Sequence, residues 1–226
     1  MIIKQLGKKL FLNKKIARYM CLIFNFVNYK NRLRVNKKNR VISGAFLAQK
    51  LTINIRGVNN RIIISDGCRF VNSNIQIAGN NNIINIGEKS YFKDVEFWIE
   101  DDNNEISIGD FTSIHGRTQL AAIESTKILI GQDCMFSNDI YFRTGDSHSI
   151  IDKNGKRINP SQNIIIGNHV WIGTKNLILK GTEVADNCIV GANSTLSKKY
   201  INPNSIIVGS PAKIIKNDIN WKRERI

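Results

Sequence analysis

An aliphatic residue returns at every sixth position over long stretches of this 226-residue chain, a period that serves neither an α-helix nor a simple alternating strand. From Ile166 the beat runs through Ile172, Ile178, Val184, Val190 and Leu196 without a break. Earlier it runs Ile108, Ile114, Leu120 and again Ile130, Phe136, Phe142, His148. A longer period overlies it. "IIIS" at Ile62, "INIG" at Ile84, "ISIG" at Ile106 and "ILIG" at Ile128 stand 22 residues apart, and "IIIG" at Ile164 repeats them once more. This spacing predicts a triangular coil with three short strands per turn. Each aliphatic residue points into a narrow prism and stacks on its equivalent one turn later. Three six-residue strands account for eighteen of the 22 residues, so four extra residues per turn gather at one corner. They fall in "GNNN", "DDNN" and "ESTK", where Asn and Gly accept a left-handed backbone at low cost.

One stretch interrupts the repeat: "RTGDSHSIIDKNGKRINPSQ", from Arg143 to Gln162. It is polar and carries the turn signals "DKNGK" and "NPS", so it is expected to leave the coil as a protruding loop and return at Ile164. His148 is the last residue on the six-residue beat before the departure. Phe142 corresponds in register to Leu120, which puts Asp146 at the corner position that Glu124 holds one turn earlier. Adjacent turns of a parallel sheet lie about 4.8 Å apart, so Glu124, Asp146 and His148 are expected on one edge. A histidine there suits proton transfer, because its unperturbed pKa of about 6.5 lets it act as a base near neutrality. A carboxylate could orient its ring, Glu124 as first choice and Asp146 as second. Stacked carboxylates repel, so one of them is expected to turn away, toward the loop, Arg117 or Arg143.

The charge is uneven. The formal net charge is +15, yet fifteen Lys and Arg fall at or before Arg61 and the first acidic residue is Asp66. The basic N-terminus therefore faces an anionic partner or is a solvated face, while the remaining body is neutral. Between Leu6 and Val27, apolar residues including Leu10, Ala17, Met20, Cys21, Phe24 and Val27 roughly share one helical face. The helix is expected to pack on the body or a partner subunit, or to lie on a membrane surface. Its apolar run "YMCLIFNFV" is about half the roughly twenty residues of a membrane span, and no signal-peptide cleavage site follows it. The arm carries no nucleic-acid-binding motif, so nucleic acid is not an expected partner. Cys21, Cys68, Cys134 and Cys188 are widely spaced and suit reduced thiols of a cytoplasmic protein.

The segment "NIIIGNHVWIGTKNLILKGTEVADNCIVGANSTLSKKYINPNSIIVGSPAKIIK" resembles the hexapeptide-repeat acyltransferases, and the likeness extends over roughly residues 51–216. The resemblance implies an all-β, left-handed parallel β-helix at residues 46–212, with the loop at 148–162. A basic helical extension at 1–45 and a tail at 213–226 complete the expected organisation. It also implies an acetyl-CoA-dependent O-acetyltransferase acting on a carbohydrate, as in bacterial surface polysaccharide synthesis. The enzyme would be a homotrimer with sites between neighbouring coils, cytoplasmic or held at the inner face of the membrane.

By the same resemblance His148 is the general base and Glu124 its acceptor-side carboxylate, with Arg117, Asp146 and Trp171 lining the acceptor site. Acetyl-CoA would run along Gly173, Thr174, Ala192, Ser197 and Lys198, with Lys213 near its phosphates. Arg117 stands where some sugar acetyltransferases carry asparagine, which leaves the acceptor open. Some proteins of this fold bind zinc through three histidines. Here His115, His148 and His169 differ in register, and no metal site is expected. N-acetylation of an amino sugar nucleotide is the alternative chemistry, and a non-catalytic β-helical scaffold the alternative class.

Overall fold

The computed structural model describes residues 14–27 and 30–225. Successive strands pass in turn to three different sheets, of eight, eight and nine strands. The first sheet runs from Arg32–Arg34 to Thr195–Leu196 and the second from Arg40–Ser43 to Lys199–Tyr200. The third runs from Leu47–Gln49 to Ile206–Gly209. All pair in parallel except the final strand, Ala212–Lys216, which folds back antiparallel on Ile206–Gly209. The result is a left-handed parallel β-helix of about eight turns.

The predicted register is the observed one. Ile62, Ile84, Ile106, Ile128 and Ile164 are consecutive partners in the second sheet. Past the loop, Ile166 pairs with Val184, Ile172 with Val190 and Ile178 with Leu196, so each turn there closes without a corner bulge. These residues are buried, and Phe70, Phe92, Phe97, Phe136 and Phe142 fill the axis among the aliphatics. Phe70 stacks on Phe92 at 4.9 Å between centroids, and Phe136 on Phe142 at 5.7 Å.

The corner between the first and second sheets takes up the four extra residues. Asn59, Asn81, Asn103 and Ser125 lie there with φ of 58°, 57°, 60° and 58°, one per turn. An extra residue leaves a backbone N–H without a strand partner, and here buried asparagines supply one. Asn39 Oδ1 accepts from the Asn60 N–H, Asn60 from Asn82, Asn82 from Asn104 and Asn104 from Thr126, at 2.9, 2.9, 2.7 and 2.9 Å. Asn-rich sequence at this corner is therefore a ladder. Cys68, Cys134 and Cys188 serve as small buried residues just before strands of the third sheet. Burial pushes their thiols up, that of Cys134 to about 12.

The coil begins earlier than residue 46. Arg32–Arg34 and Arg40–Ser43 pair with Thr52–Arg56 and Arg61–Ile64, inside the segment expected to be a separate arm. Leu33 and Val41 stand in register on Ile53 and Ile62, but they are exposed because no earlier turn covers them. The helix Lys14–Val27 caps this end, while Leu6 and Leu10 lie outside the described residues. Asn25 accepts from the Ala48 N–H at 2.8 Å and donates to the Phe46 carbonyl at 3.0 Å, and Asn31 accepts from the Leu51 N–H at 2.9 Å. These amides occupy groups that an open edge strand would leave unpaired. Ala17 is buried against the coil, but Met20, Phe24 and Val27 of the predicted apolar face stay exposed. No described helix is long and apolar enough to cross a membrane.

Candidate active site

The loop leaves the bulged corner at Thr144 and is closed at its base where the Gln162 N–H donates to the Thr144 carbonyl at 2.9 Å. Gly145 fits there because a Cβ would come within 2.1 Å of Ser161 Oγ and 2.6 Å of Ile123 Cδ1. The loop is a small hairpin: Ile151 and Arg157 form an antiparallel bridge, and the Ile158 N–H donates to the Ile150 carbonyl at 2.8 Å. Asp152 Oδ1 ties its tip by accepting from the N–H groups of Asn154 and Lys156.

His148 is exposed at the root of this hairpin, and among the described residues none hydrogen-bonds its imidazole. The carboxylates expected beside it are engaged elsewhere. Glu124 takes a bidentate bond from Arg157 at 2.9 and 3.0 Å and accepts from Ser161 Oγ at 2.7 Å. Asp146 accepts from Lys180 Nζ and from Asn159 Nδ2. The expected pairing of Glu124 or Asp146 with the ring is thus not made. The planar guanidinium of Arg157 meets both oxygens of Glu124 at once, a bidentate match that an imidazole cannot make. These bonds hold the carboxyls of Glu124 and Asp146 below their ordinary values, with Arg157 the main cause for Glu124 and Lys180 for Asp146.

Because the Glu124 value is depressed, its latch is complete above the ordinary 4.5 and is lost only as pH falls through the lowered value. At neutral pH, Glu124→Gln is therefore expected to free Arg157 and speed tryptic cleavage at Lys153 or Lys156 several-fold. An unchanged cleavage rate would show that the latch does not restrain the loop.

The other expected site residues form a second group on the far side of the prism. Trp171 points outward from the third sheet, across the coil from the corner that bears His148. Gly173, Thr174 and Ala192 lie at the corner between the third and first sheets, one turn apart. The Gly173 Cα sits so close to the Ala192 backbone that a Cβ would lie 3.0 Å from the Ala192 nitrogen. Arg117 is at this same corner, where it pairs with Asp139 at 2.6 and 2.9 Å, so it is not the neighbour of Glu124 that was expected. Its φ of 51° matches the left-handed Asp94, Asp139, Lys175 and Asn193 of the same corner. Lys213 is exposed on the closing strand of the third sheet. Ser197 and Lys198, by contrast, lie at the His148 corner, so the expected acetyl-CoA residues are split between two edges of one coil.

Sequence reasoning missed Arg157, Asn159, Ser161 and Lys180, which hold the loop, and also the tail. Trp221 stacks on His169 at 4.1 Å and lies 6.2 Å from Trp171. His169 Nδ1 bonds Asp133 at 2.7 Å, which Arg223 also engages at 2.9 Å. His169 therefore supports the coil surface. A tryptophan in the aperiodic tail was the one available signal.

A left-handed coil of hexapeptides with one corner expanded around a histidine defines a class of transferases, and comparison with known proteins narrows it. Residues 163–198 match the family described as bacterial transferase hexapeptide (six repeats). Over 184 residues the chain is 36% identical to the polysialic acid O-acetyltransferase of Neisseria meningitidis, covering 81% of this chain and 85% of that protein. It is 30% identical over 117 residues to a putative lipopolysaccharide biosynthesis O-acetyl transferase of Escherichia coli K12, covering 47% of this chain and 58% of that one. The solved polysialic acid O-acetyltransferase OatWY superposes with a TM-score of 0.67 at 31% identity, over 87% of this chain and 90% of that chain. The polysialic acid-specific acetyltransferase NeuO gives 0.69 at 26% over the same shares. The chain belongs to the hexapeptide-repeat acetyltransferase family and is an acyltransferase.

Proposed function

We propose that the protein transfers an acetyl group from acetyl-CoA to a hydroxyl of a carbohydrate acceptor, an acidic surface polysaccharide or its precursor, as a homotrimer. The observation that carries the reading is the placement of His148: exposed, its ring unengaged, on a backbone pinned by the loop root. In the proposed reaction the imidazole takes the proton from the acceptor hydroxyl as its oxygen attacks the thioester carbonyl. Backbone N–H groups at the coil edge steady the oxyanion. The C–S bond then breaks, and the imidazolium returns the proton to the departing thiolate. The separation of the expected site residues supports the trimer. His148, Ser197 and Lys198 occupy one corner, while Trp171 lies on the third sheet and Arg117, Gly173, Thr174 and Ala192 at its corner with the first, an arrangement that suits a site shared between the edge of one coil and the face of a neighbour. The acidic acceptor rests on the two polysialic acid-modifying relatives. The test is release of CoA from acetyl-CoA across sialic acid oligomers, neutral oligosaccharides and nucleotide sugars. Release with an acidic oligomer supports the reading, and no release with any acceptor defeats it.

A peripheral membrane contact is proposed on a separate observation. The helix Lys14–Val27 exposes Ile16, Tyr19, Ile23, Phe26 and Val27, with Phe26 89% exposed. Arg18, Arg32, Arg34, Lys37, Lys38 and Arg40 are exposed at the same end of the coil. Apolar residues flanked by cations suit the interface of an anionic bilayer. The protein is expected to sediment with phosphatidylglycerol vesicles but not phosphatidylcholine vesicles, and Phe26→Asp to weaken it. Equal partitioning of wild type onto both, or none, overturns the contact.

A further inference from the structure

We infer that Asn159 is a positioning residue for His148, a role that rests on the reading of His148 as the general base. Asn159 is buried, only 7% exposed, at the end of the hairpin. Its side chain holds the two peptide groups that follow the His148 Cα, one on each side of Ser149. Nδ2 donates to the His148 carbonyl at 2.9 Å, and Oδ1 accepts from the Ile150 N–H at 2.7 Å. The second Nδ2 hydrogen goes to Asp146 Oδ2 at 2.7 Å, and Arg157 Nε donates to Oδ1 at 3.3 Å. Every donor and acceptor of the amide is used, and the partners allow one orientation: an N–H must meet the oxygen, and a carboxylate must meet the nitrogen.

The backbone carbonyl of Asn159 is held as well, by Lys180 Nζ at 3.1 Å and Arg157 Nη2 at 3.3 Å. Lys180 stands on the coil one turn beyond Arg143, and Arg157 is latched to Glu124 on the turn before it. Asn159 thereby refers the two peptide groups on either side of Ser149, the His148 carbonyl among them, to two fixed turns of the prism. Its hold on that carbonyl and on the Asp146 carboxylate two residues earlier flanks His148, and so limits where its ring can reach. The arrangement explains how a base with no carboxylate on its ring is aimed: the peptide is held in place of the side chain. Positioning of this kind matters because an ångström of displacement at a reacting group can cost about 100-fold in rate.

The experiment is steady-state kinetics of Asn159→Ala, His148→Ala and the double variant, with acetyl-CoA and the best acceptor of the panel. Asn159→Ala is expected to lower kcat by roughly 10–100-fold with KM for acetyl-CoA unchanged, since Asn159 bonds only to the loop, Asp146, Arg157 and Lys180 and to none of the residues proposed to hold the donor. In the His148→Ala background the same change is expected to cost nothing further, because Asn159 acts only through the histidine. Thermal unfolding checks that the coil is intact, and Asn159→Asp, which keeps the acceptor but loses the donor, provides a second variant. Unchanged kcat in Asn159→Ala, or an equal further loss in the double variant, overturns the inference while leaving His148 as base. Wild-type turnover by His148→Ala overturns the base and this role together.

Discussion

Replacing His148 by alanine is expected to lower acetyl transfer by about 10²–10⁴-fold, the range for removal of a positioned general base. Binding of CoA should survive, because Gly173, Thr174 and Ala192, small residues proposed to lie along it, stand at another corner, away from the loop. The coil should also survive, because the loop closes on itself at Thr144 and Gln162 and His148 makes only a backbone bond within it. The variant therefore separates binding from chemistry. CoA should still raise its melting temperature while CoA release with acceptor falls to near background. A His148→Ala protein that keeps wild-type turnover would remove the base from the proposed mechanism, and one that loses CoA stabilisation would place the histidine in the donor site instead.

Phe142→Ala is expected to give the largest loss of stability. Phe142 is fully buried between Leu120 and Ile178 of the adjoining turns and stacks on Phe136 at 5.7 Å. Truncation of such a ring costs about 3–5 kcal/mol, since the lost transfer energy is joined by that of the cavity. For a chain of this size that is a fall in melting temperature of roughly 6–20 °C. The site makes relaxation difficult: each turn contacts only its neighbours, and the prism can close on a void only by breaking sheet register on three faces. Phe142 also precedes Thr144, where the loop departs, so cleavage of the loop at Lys153 should rise together with the fall in melting temperature. A shift under about 2 °C would mean that the neighbouring aliphatics fill the space.

The contrast between these residues shows what was legible. Ile62, Ile84 and Ile106 announce their contacts, because residues one turn apart are separated by a constant number of positions and the interior accepts only apolar groups. The Asn and Asp residues of the bulged corner were equally readable, since a left-handed backbone restricts the choice of residue. Arg117 misled because the family resemblance set it near Glu124, whereas its place midway between Ile114 and Leu120 puts it at the corner between the third and first sheets, a different corner from Glu124. Glu124 misled for another reason. Its partner Arg157 is 33 residues away, on a loop with no period.

By itself, the sequence determined the coil, its three faces, the spacing of its turns, the corner that bulges and the point where the loop leaves. All of these follow from periodicity, which converts distance along the chain into position on the prism. Only the tertiary structure decided that Arg157 and Ser161 rather than His148 donate to Glu124, that Asn159 holds the backbone next to the histidine, and that Trp221 lies beside Trp171. It also decided that the expected site residues stand on opposite sides of one coil. Those outcomes depend on where an aperiodic hairpin and tail fold back in space, and no repeat constrains that.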